Sequence, residues 1–511
     1  MSSILTNNGA MVALQTLSSI NSNLTDTQAM ISTGKKVGSA KDNASVWAIS
    51  KVMESDVQGF KGISDSLSLG QSTVAVARQA SESVTDLLTQ IKAKVVASQE
   101  QNVDRNKIQT DIKALTDQIK SVTNAAQFNG LNLIKGTDDV TVLSSLDRAS
   151  NGAVTASDIT VNRHDLSTDA GVYGAGTSLA ANISASEATV DSSGAQNQVE
   201  LTLAGSSGDA LSLNINGSTV SVAWNTDAAT TIGDAAGAIN ALGLTGITAT
   251  DGGSGKLEIA NTNAFQSFDV SWDAGGTNTV ALNNVGTGGT AAASTAAGTT
   301  TLVERAEGVT LSTSAKVNDG DSYRISVNGN DYNYIAGKGE TMKDVAAGLK
   351  AAVDAGAETG VSTQVSQDET TGAWSVKVDY DGTDTTAGST MTLAVNGAAD
   401  GTASGGLFGL DNINVATDQG AKAALGNVET LINNAIDAAA SFGSSQSRIS
   451  TQSDFIGKLT DSLKSGIGSL VDANMEEASA RLQALQVQQQ LGVQSLSIAN
   501  KAPQSILSLF R

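Results

Sequence analysis

The sequence predicts an α+β multidomain fold: a long α-helical coiled coil and bundle built from both chain ends, carrying a β-rich insert. Three observations predict it. Apolar residues recur every three or four positions through the first 125 residues and from about residue 421 onward, which is one face of a helix. Between about Gly136 and residue 410 the pattern changes to short alternating runs rich in Gly, Thr, Ser and Asn, with turn dipeptides. Each end also carries an apolar seam with no partner beside it in sequence.

The first seam is Ala10, Ala13, Leu17, Ile20, Leu24, Thr27 and Ile31, spaced 3-4 throughout as in a coiled coil. Gly34 and Gly38 then interrupt the helix, and Asp42 or Asn43 is the candidate cap of the next. That helix is the longest. Phe60, Ile63, Leu67, Gly70, Val74, Ala77, Ser81, Val84, Leu88, Ile91 and Val95 keep the 3-4 spacing without a break. A polar turn at 99–105 leads to a shorter helix with Ile108, Ile112, Leu115, Ile119 and Val122, and Asn129-Gly130 marks a turn after it.

The insert contains one internal repeat, Ala210–Ile259 and Ser322–Val378. In each copy an Asn-Gly pair (Asn216-Gly217, Asn328-Gly329) predicts a two-residue hairpin. A Thr-x-x-Asp start (Thr231/Asp234, Thr341/Asp344) resembles a capping box opening a short helix, and two more strands follow. Gly286–Thr300 between the copies reads as a linker or flexible loop. Helical spacing returns with Leu425, Val428, Ile432, Ala435, Ala439, Phe442, Gln446, Ile449, Ser453 and Ile456. It is expected to run on into a C-terminal helix carrying Leu463, Ile467, Leu470, Met475, Ala478, Leu482, Leu485 and Leu496. The only proline, Pro503, is expected to break or kink that helix before the apolar ending ILSLF. The C-terminal face is the best partner for the N-terminal seam. A lone two-helix hairpin buries too little to offset the ordering entropy of both ends, so they are expected to order only against further copies.

Composition narrows function. With 51 acidic and 30 basic residues the net charge is −21, which argues against nucleic acid and gives little support for an anionic membrane surface. Aromatics are 3%, so any core is aliphatic, and the absence of cysteine removes disulfides and thiolate metal sites. No apolar run approaches the ~20 residues needed to span a bilayer. Residues 1–30 lack a basic segment followed by an apolar core, so no cleaved signal peptide is expected.

The chain resembles bacterial flagellin. SxGKKVxSAKDNASxxAIS at 32–50 is similar to the family's N-terminal signature, TNAAQFNGLNLI at 123–134 to the segment closing its third helix, and ANKAPQSILSLFR at 499–511 to its C-terminal signature. The resemblance covers about 1–135 and 412–511. It implies a structural subunit of the flagellar filament, with 1–43 and 462–511 as the terminal coiled coil D0 and 44–138 and 408–461 as the D1 helical bundle. The outer β-rich domains would then be 139–305 and 306–407. Leu17, Ile20, Leu24, Ile31, Leu482, Leu485, Leu496, Ile506 and Leu507 would pack in the filament core.

The resemblance also implies extracellular filaments of identical protomers, reached through the flagellar type III route. An export chaperone at the C-terminal helix, a filament cap protein and hook-associated junction proteins are the other implied partners. A Toll-like receptor senses the family through an Arg and a Leu on the long D1 helix and a Glu on the short one. Here Gln90, Lys94 and Asp111 occupy those positions, so weak recognition is expected. Alternatives within the same plan are a hook–filament junction protein and a filament-displayed adhesin.

No enzyme chemistry, cofactor or metal is expected. The only histidine, His164, leaves no His-Glu-x-x-His zinc motif and reads as a surface or hairpin residue. Gly-rich runs lack the Lys-Ser/Thr of a phosphate loop, and no Gly-x-Ser-x-Gly elbow sits at a strand–helix junction. The acidic stretches 317–322 and 379–384 lack EF-hand spacing and read as Asp-Gly turns.

Overall fold

The computed structural model describes residues 7–148, 153–191, 197–205, 210–224, 227–285, 295–381 and 390–509, with backbone alone for 191, 284–285 and 502–509. Seven helices lie among them: α1 (Asn8–Thr33), α2 (Ala44–Ser98), α3 (Arg105–Ala125), α4 (Ala228–Ala241), α5 (Met342–Ala355), α6 (Asp418–Val471) and α7 (Met475–Leu509). The chain forms two compact units. One comprises Met1–Ser72, Thr141–Val161 and Ser444–Arg511, the other Thr73–Val140 and Asn162–Gly443.

In the first unit, α1 ends where Gly34 turns left-handed (φ 71°) and returns its amide to the Met30 carbonyl at 2.8 Å. Asn43 caps α2 by accepting from the Val46 amide at 3.1 Å. Asp42 instead folds back on its own loop, accepting from the Ser39 and Gly38 amides at 2.8 and 3.0 Å. Those bonds, Ser39's first, hold its carboxyl below the usual range. Ile63 and Leu67 on α2 and Ile449 and Ile456 on α6 are fully buried or nearly so. The hairpin of β3 (Val140–Arg148) and β4 (Val154–Val161), which follows the short pair β1 (Gln127–Phe128) and β2 (Leu131–Asn132), lies on α2. It approaches at Gly70, where a Cβ would come within 2.7 Å of Val142.

The second unit buries the remainder of the long heptad seam, Val74, Ala77, Ser81, Val84, Leu88, Ile91 and Val95. Ion pairs tie its helices at the surface, Lys92 to Glu429 at 2.5 Å and Arg105 to Asp418 at 3.0 Å. Asn129 and Gly130 both have positive φ and turn β1 into β2.

The insert folds as two β modules, each a helix packed against two four-stranded sheets. Before the first module come β5 (Ile183–Ala185) and β6 (Thr189–Asp191). The first module is β7 (Gln198–Ala204), β8 (Ala210–Ile215), β9 (Ser218–Ala223), α4, β10 (Ile247–Gly253), β11 (Lys256–Asn261), β12 (Phe268–Asp273), β13 (Thr279–Val285) and β14 (Ala297–Leu302). The second continues with β15 (Glu307–Leu311), β16 (Ser322–Val327), β17 (Asn330–Ile335), α5, β18 (Val361–Gln367), β19 (Trp374–Tyr380) and β20 (Thr390–Ala398). Sheet orders are β10-β11-β7-β13 and β14-β12-β8-β9 in the first, β18-β19-β15-β5 and β17-β16-β20-β6 in the second.

The sheet orders correspond strand for strand, but the outer pair differs in origin. The first module takes β13 and β14 from its C-terminal side; the second takes β5 and β6 from before the first module begins. The modules are therefore circular permutants, the first spliced into the second. The splice is clipped by buried Asn261, whose amide donates to the Asn197 carbonyl at 2.9 Å and whose Nδ2 donates to the Val303 carbonyl at 3.1 Å.

The repeat has the expected parts. Asn216 and Asn328 adopt φ 48° and 50°, each followed by a positive-φ glycine, as the hairpin turns require. Thr341 and Asp344 form the capping box of α5. Its counterpart is corrected: α4 begins at Ala228, capped by Asp227 accepting from the Thr230 amide at 2.7 Å, and Thr231 is buried inside the helix. Of the expected linker 286–300, residues 286–294 lie outside the described residues, while Ala297 onward is strand β14, paired with β12. Asp321 accepts from the Asn318 amide at 2.8 Å in a turn. The Asp381-Gly382 turn expected in 379–384 runs into residues 382–389, outside the described residues; Asp379, at its start, lies on β19 and makes a two-bond ion pair with Arg305, both contacts 2.7 Å.

Candidate self-assembly surface

α1 and α7 pack antiparallel along a single seam. On α1, Ala10, Ala13, Leu17, Ile20, Leu24, Thr27 and Ile31 are all buried or half-buried while the residues between them are largely exposed. On α7 the facing row is Ala478, Leu482, Leu485, Gln489, Gly492, Leu496 and Ala499, again at 3-4 spacing. Leu17 lies over Gly492, where a Cβ would stand 3.0 Å from its Cδ1. Gln489 donates to Asn21 Oδ1 at 2.7 Å. Gln489 and Gly492 were invisible as seam members because neither is a large apolar residue; the 3-4 count through Leu485 and Leu496 was the available signal. The side chains of Ile506 and Leu507 lie outside the described residues.

The C-terminal segment is not one helix. α6 stops at Val471 and α7 starts at Met475, with Asn474 accepting from the Glu476 amide at 3.2 Å. The break faces Gly34: the Lys36 amide donates to the Val471 carbonyl at 2.6 Å and the Ala473 amide to the Gly34 carbonyl at 2.9 Å. Both strands of the coil thus bend at one level. Leu470 and Met475, expected on the apolar face, are exposed beside this break. Pro503 does not end the helix, which continues to Leu509.

Large apolar side chains remain uncovered on this coil. On α7, Val487, Leu491 and Ile498 are 56%, 58% and 66% exposed. Their spacing of four and seven puts them in one stripe on the face away from α1. On α1, Met11 and Val12 are 63% exposed and Leu14 59%. A helix apolar on two faces covers only one of them in a two-helix coil.

The three positions that the resemblance implies for receptor contact, Gln90, Lys94 and Asp111, all fall in the second unit. Gln90 is exposed on α2, and Lys94 forms an ion pair of 2.5 Å with Asp111 on α3. His164 is neither a surface nor a hairpin residue. It is half-buried, edge-on to Phe442 with ring centroids 5.4 Å apart, and its amide donates to the Leu133 carbonyl. Burial lowers its pKa, against the opposing charges of Asp437 and Asp139. No helix among the described residues is long and apolar enough to cross a membrane.

Residues 4–139 match the bacterial flagellin N-terminal helical region and residues 425–510 the bacterial flagellin C-terminal helical region. Flagellin A of Rhizobium meliloti is 33% identical over 518 residues, spanning 100% of both chains. Flagellin B of the same species is 32% identical, again across 100% of both. Flagellin FljN of Caulobacter vibrioides is 40% identical over 165 residues, 32% of this chain and 60% of that one. Among solved structures, flagellar hook associated protein-3 of Legionella pneumophila aligns over 82% of this chain and 98% of its own, with TM-score 0.32 and 8% identity. FlgL of Xanthomonas campestris covers 81% and 98%, with TM-score 0.30 and 11% identity.

Proposed function

Because the chain belongs to the bacterial flagellin family, whose members are structural subunits of the flagellar filament, we propose that α1 and α7 drive its polymerisation by folding against neighbouring copies. The observation that carries this is the bare stripe Val487, Leu491 and Ile498 on α7, opposite the seam already used by α1. In a protomer alone the stripe faces water. In a tube of copies each stripe meets a neighbour, and burial of apolar area returns roughly 1.5–3 kcal/mol per large side chain.

On this reading residues 1–43 and 462–511 form the innermost tube, with Leu17, Ile20, Leu24, Ile31, Leu482, Leu485, Leu496, Ile506 and Leu507 packing it. Residues 44–138 and 408–461 form the next shell. The outer domains, expected at 139–305 and 306–407, are redrawn by the strand pairing: one is the first β module, β7–β14, and the other joins β5 and β6 to β15–β20. Subunits leave the cell through the flagellar type III channel without a cleaved signal, escorted by a chaperone on the C-terminal helix. They add beneath a cap protein on a base of hook-associated proteins. Toll-like receptor recognition is weak, since Lys94 replaces an apolar contact and pairs with Asp111.

The test is electron microscopy of purified protein seeded with filament fragments under salting-out conditions. Long filaments are expected from the full chain and none from a chain lacking 1–40 and 462–511. Filaments from the shortened chain would overturn the proposal.

A further inference from the structure

We propose that Asn7 is a positioning residue for assembly, which completes the C-terminal helix at the carbonyl that Pro503 leaves without its helical partner. This rests on the reading of α1 and α7 as the assembling element. In an α-helix the carbonyl of residue 499 accepts from the amide of residue 503. Residue 503 is proline and has no amide hydrogen, so the Ala499 carbonyl loses that donor. The helix nevertheless continues to Leu509. Asn7 supplies the substitute: its Nδ2 donates to the Ala499 carbonyl at 2.9 Å.

The same side chain caps α1. Its Oδ1 accepts from the Ala10 amide at 3.0 Å, the usual task of an asparagine at a helix start. One amide thus satisfies one unpaired group on each helix. The bond is half-buried and joins residues 492 positions apart. Two residues on, a Cβ built at Gly9 would stand 3.9 Å from the Ala499 Cβ, ordinary van der Waals contact, so the start of α1 packs against this turn of α7. A carbonyl left unpaired at such a junction carries a desolvation cost. The final turns of α7 are therefore held on α1 by a polar contact rather than by the seam alone.

The prediction couples two residues that share only this carbonyl. Asn7→Ser keeps an equally good cap but is too short to reach Ala499. Pro503→Ala restores an amide to the Ala499 carbonyl. The readout is the critical concentration for seeded elongation of the full chain, with the far-ultraviolet dichroism of the monomer as a control for folding. Asn7→Ser is expected to raise the critical concentration about fivefold, the equivalent of one lost hydrogen bond. Adding Pro503→Ala should bring it back to within about twofold of the parent.

Elongation of Asn7→Ser at the parental critical concentration overturns the proposal. So does a double variant no better than Asn7→Ser, because loss of a cap or of general packing would not be rescued at residue 503. These outcomes are separable from failure of the assembly reading, which would show as filaments from the chain lacking 1–40 and 462–511.

Discussion

Tyr334 places its hydroxyl 2.9 Å from each carboxyl oxygen of Glu340. A hydroxyl has one proton to donate, so the second contact is satisfied when the carboxyl supplies a proton of its own. Burial, the largest cause, pushes the Glu340 pKa up to about 7, with Asp344 and Asp319 adding repulsion against opposing bonds from Gly337 and Tyr334. The folded-state pKa thus lies above the unfolded value. The contribution to stability is full under acid conditions and is lost as pH rises through about 7. Thermal unfolding of the second β module should weaken by roughly 1 kcal/mol between pH 6 and 8. Glu340→Gln should remove that part of the slope; an unchanged slope in calorimetry would contradict the assignment.

Leu485 is 7% exposed in the α1–α7 seam. Leu485→Asp puts an unpaired carboxylate there, a cost of several kcal/mol that the coil has no means to offset. Seeded elongation should fall more than about a hundredfold, while the melting of the two β modules stays where it was. Sedimentation of seeded mixtures measures the first and calorimetry the second.

Asn261 holds both ends of the first β module. Replacing 192–303 with a short Gly-Ser linker should leave the second module with its melting temperature shifted by no more than a few degrees. Asn261→Ala should destabilise the first module by about 1–3 kcal/mol and should spare the second, since it removes the Nδ2 donor from the Val303 and Gln266 carbonyls while the backbone bond to Asn197 stays. Differential scanning calorimetry resolves the two if they melt separately; one merged transition displaced as a whole would count against independent modules.

Lys94 and Asp111 neutralise each other on the face formed by α2 and α3. Purified monomer should fail to activate cells bearing the flagellin-sensing Toll-like receptor at nanomolar concentrations. Gln90→Arg with Lys94→Leu should raise the response at least about tenfold, a gain of about 1.4 kcal/mol in binding. No gain from the double variant would refute the assignment of these positions.

Much of this architecture was legible along the chain because its signals are local. Asn216-Gly217 and Asn328-Gly329 need positive φ at both positions, and that requirement is written in two residues. The N-terminal seam shows in a simple count from Ala10 to Ile31. The break between α6 and α7 does not show in the periodicity, although Asn474 with Glu477 three residues on is a start signal, because apolar residues continue across it. The α4 cap moved from Thr231 to Asp227 because two candidate caps stand within one turn, and burial of Thr231 decided between them. The permuted strands β5 and β6 could not be read at all. Each has three residues, and what recruits them is pairing with β15 and β20, more than a hundred positions away. The Asn7–Ala499 bond is of the same kind: Pro503 announces a vacancy, but nothing local says who fills it.

The antiparallel register of the terminal coil has a consequence for quality control. Residue 7 meets residue 499, and Leu17 fits over Gly492. A chain clipped by a protease, or ended early by a stalled ribosome, keeps two sound β modules yet lacks the partner of its own beginning. Under the proposed assembly role such a molecule has no completed coil to offer a neighbouring copy. If the coil drives assembly as proposed, it also acts as a proof of length, admitting a subunit only when its first and last turns are both present.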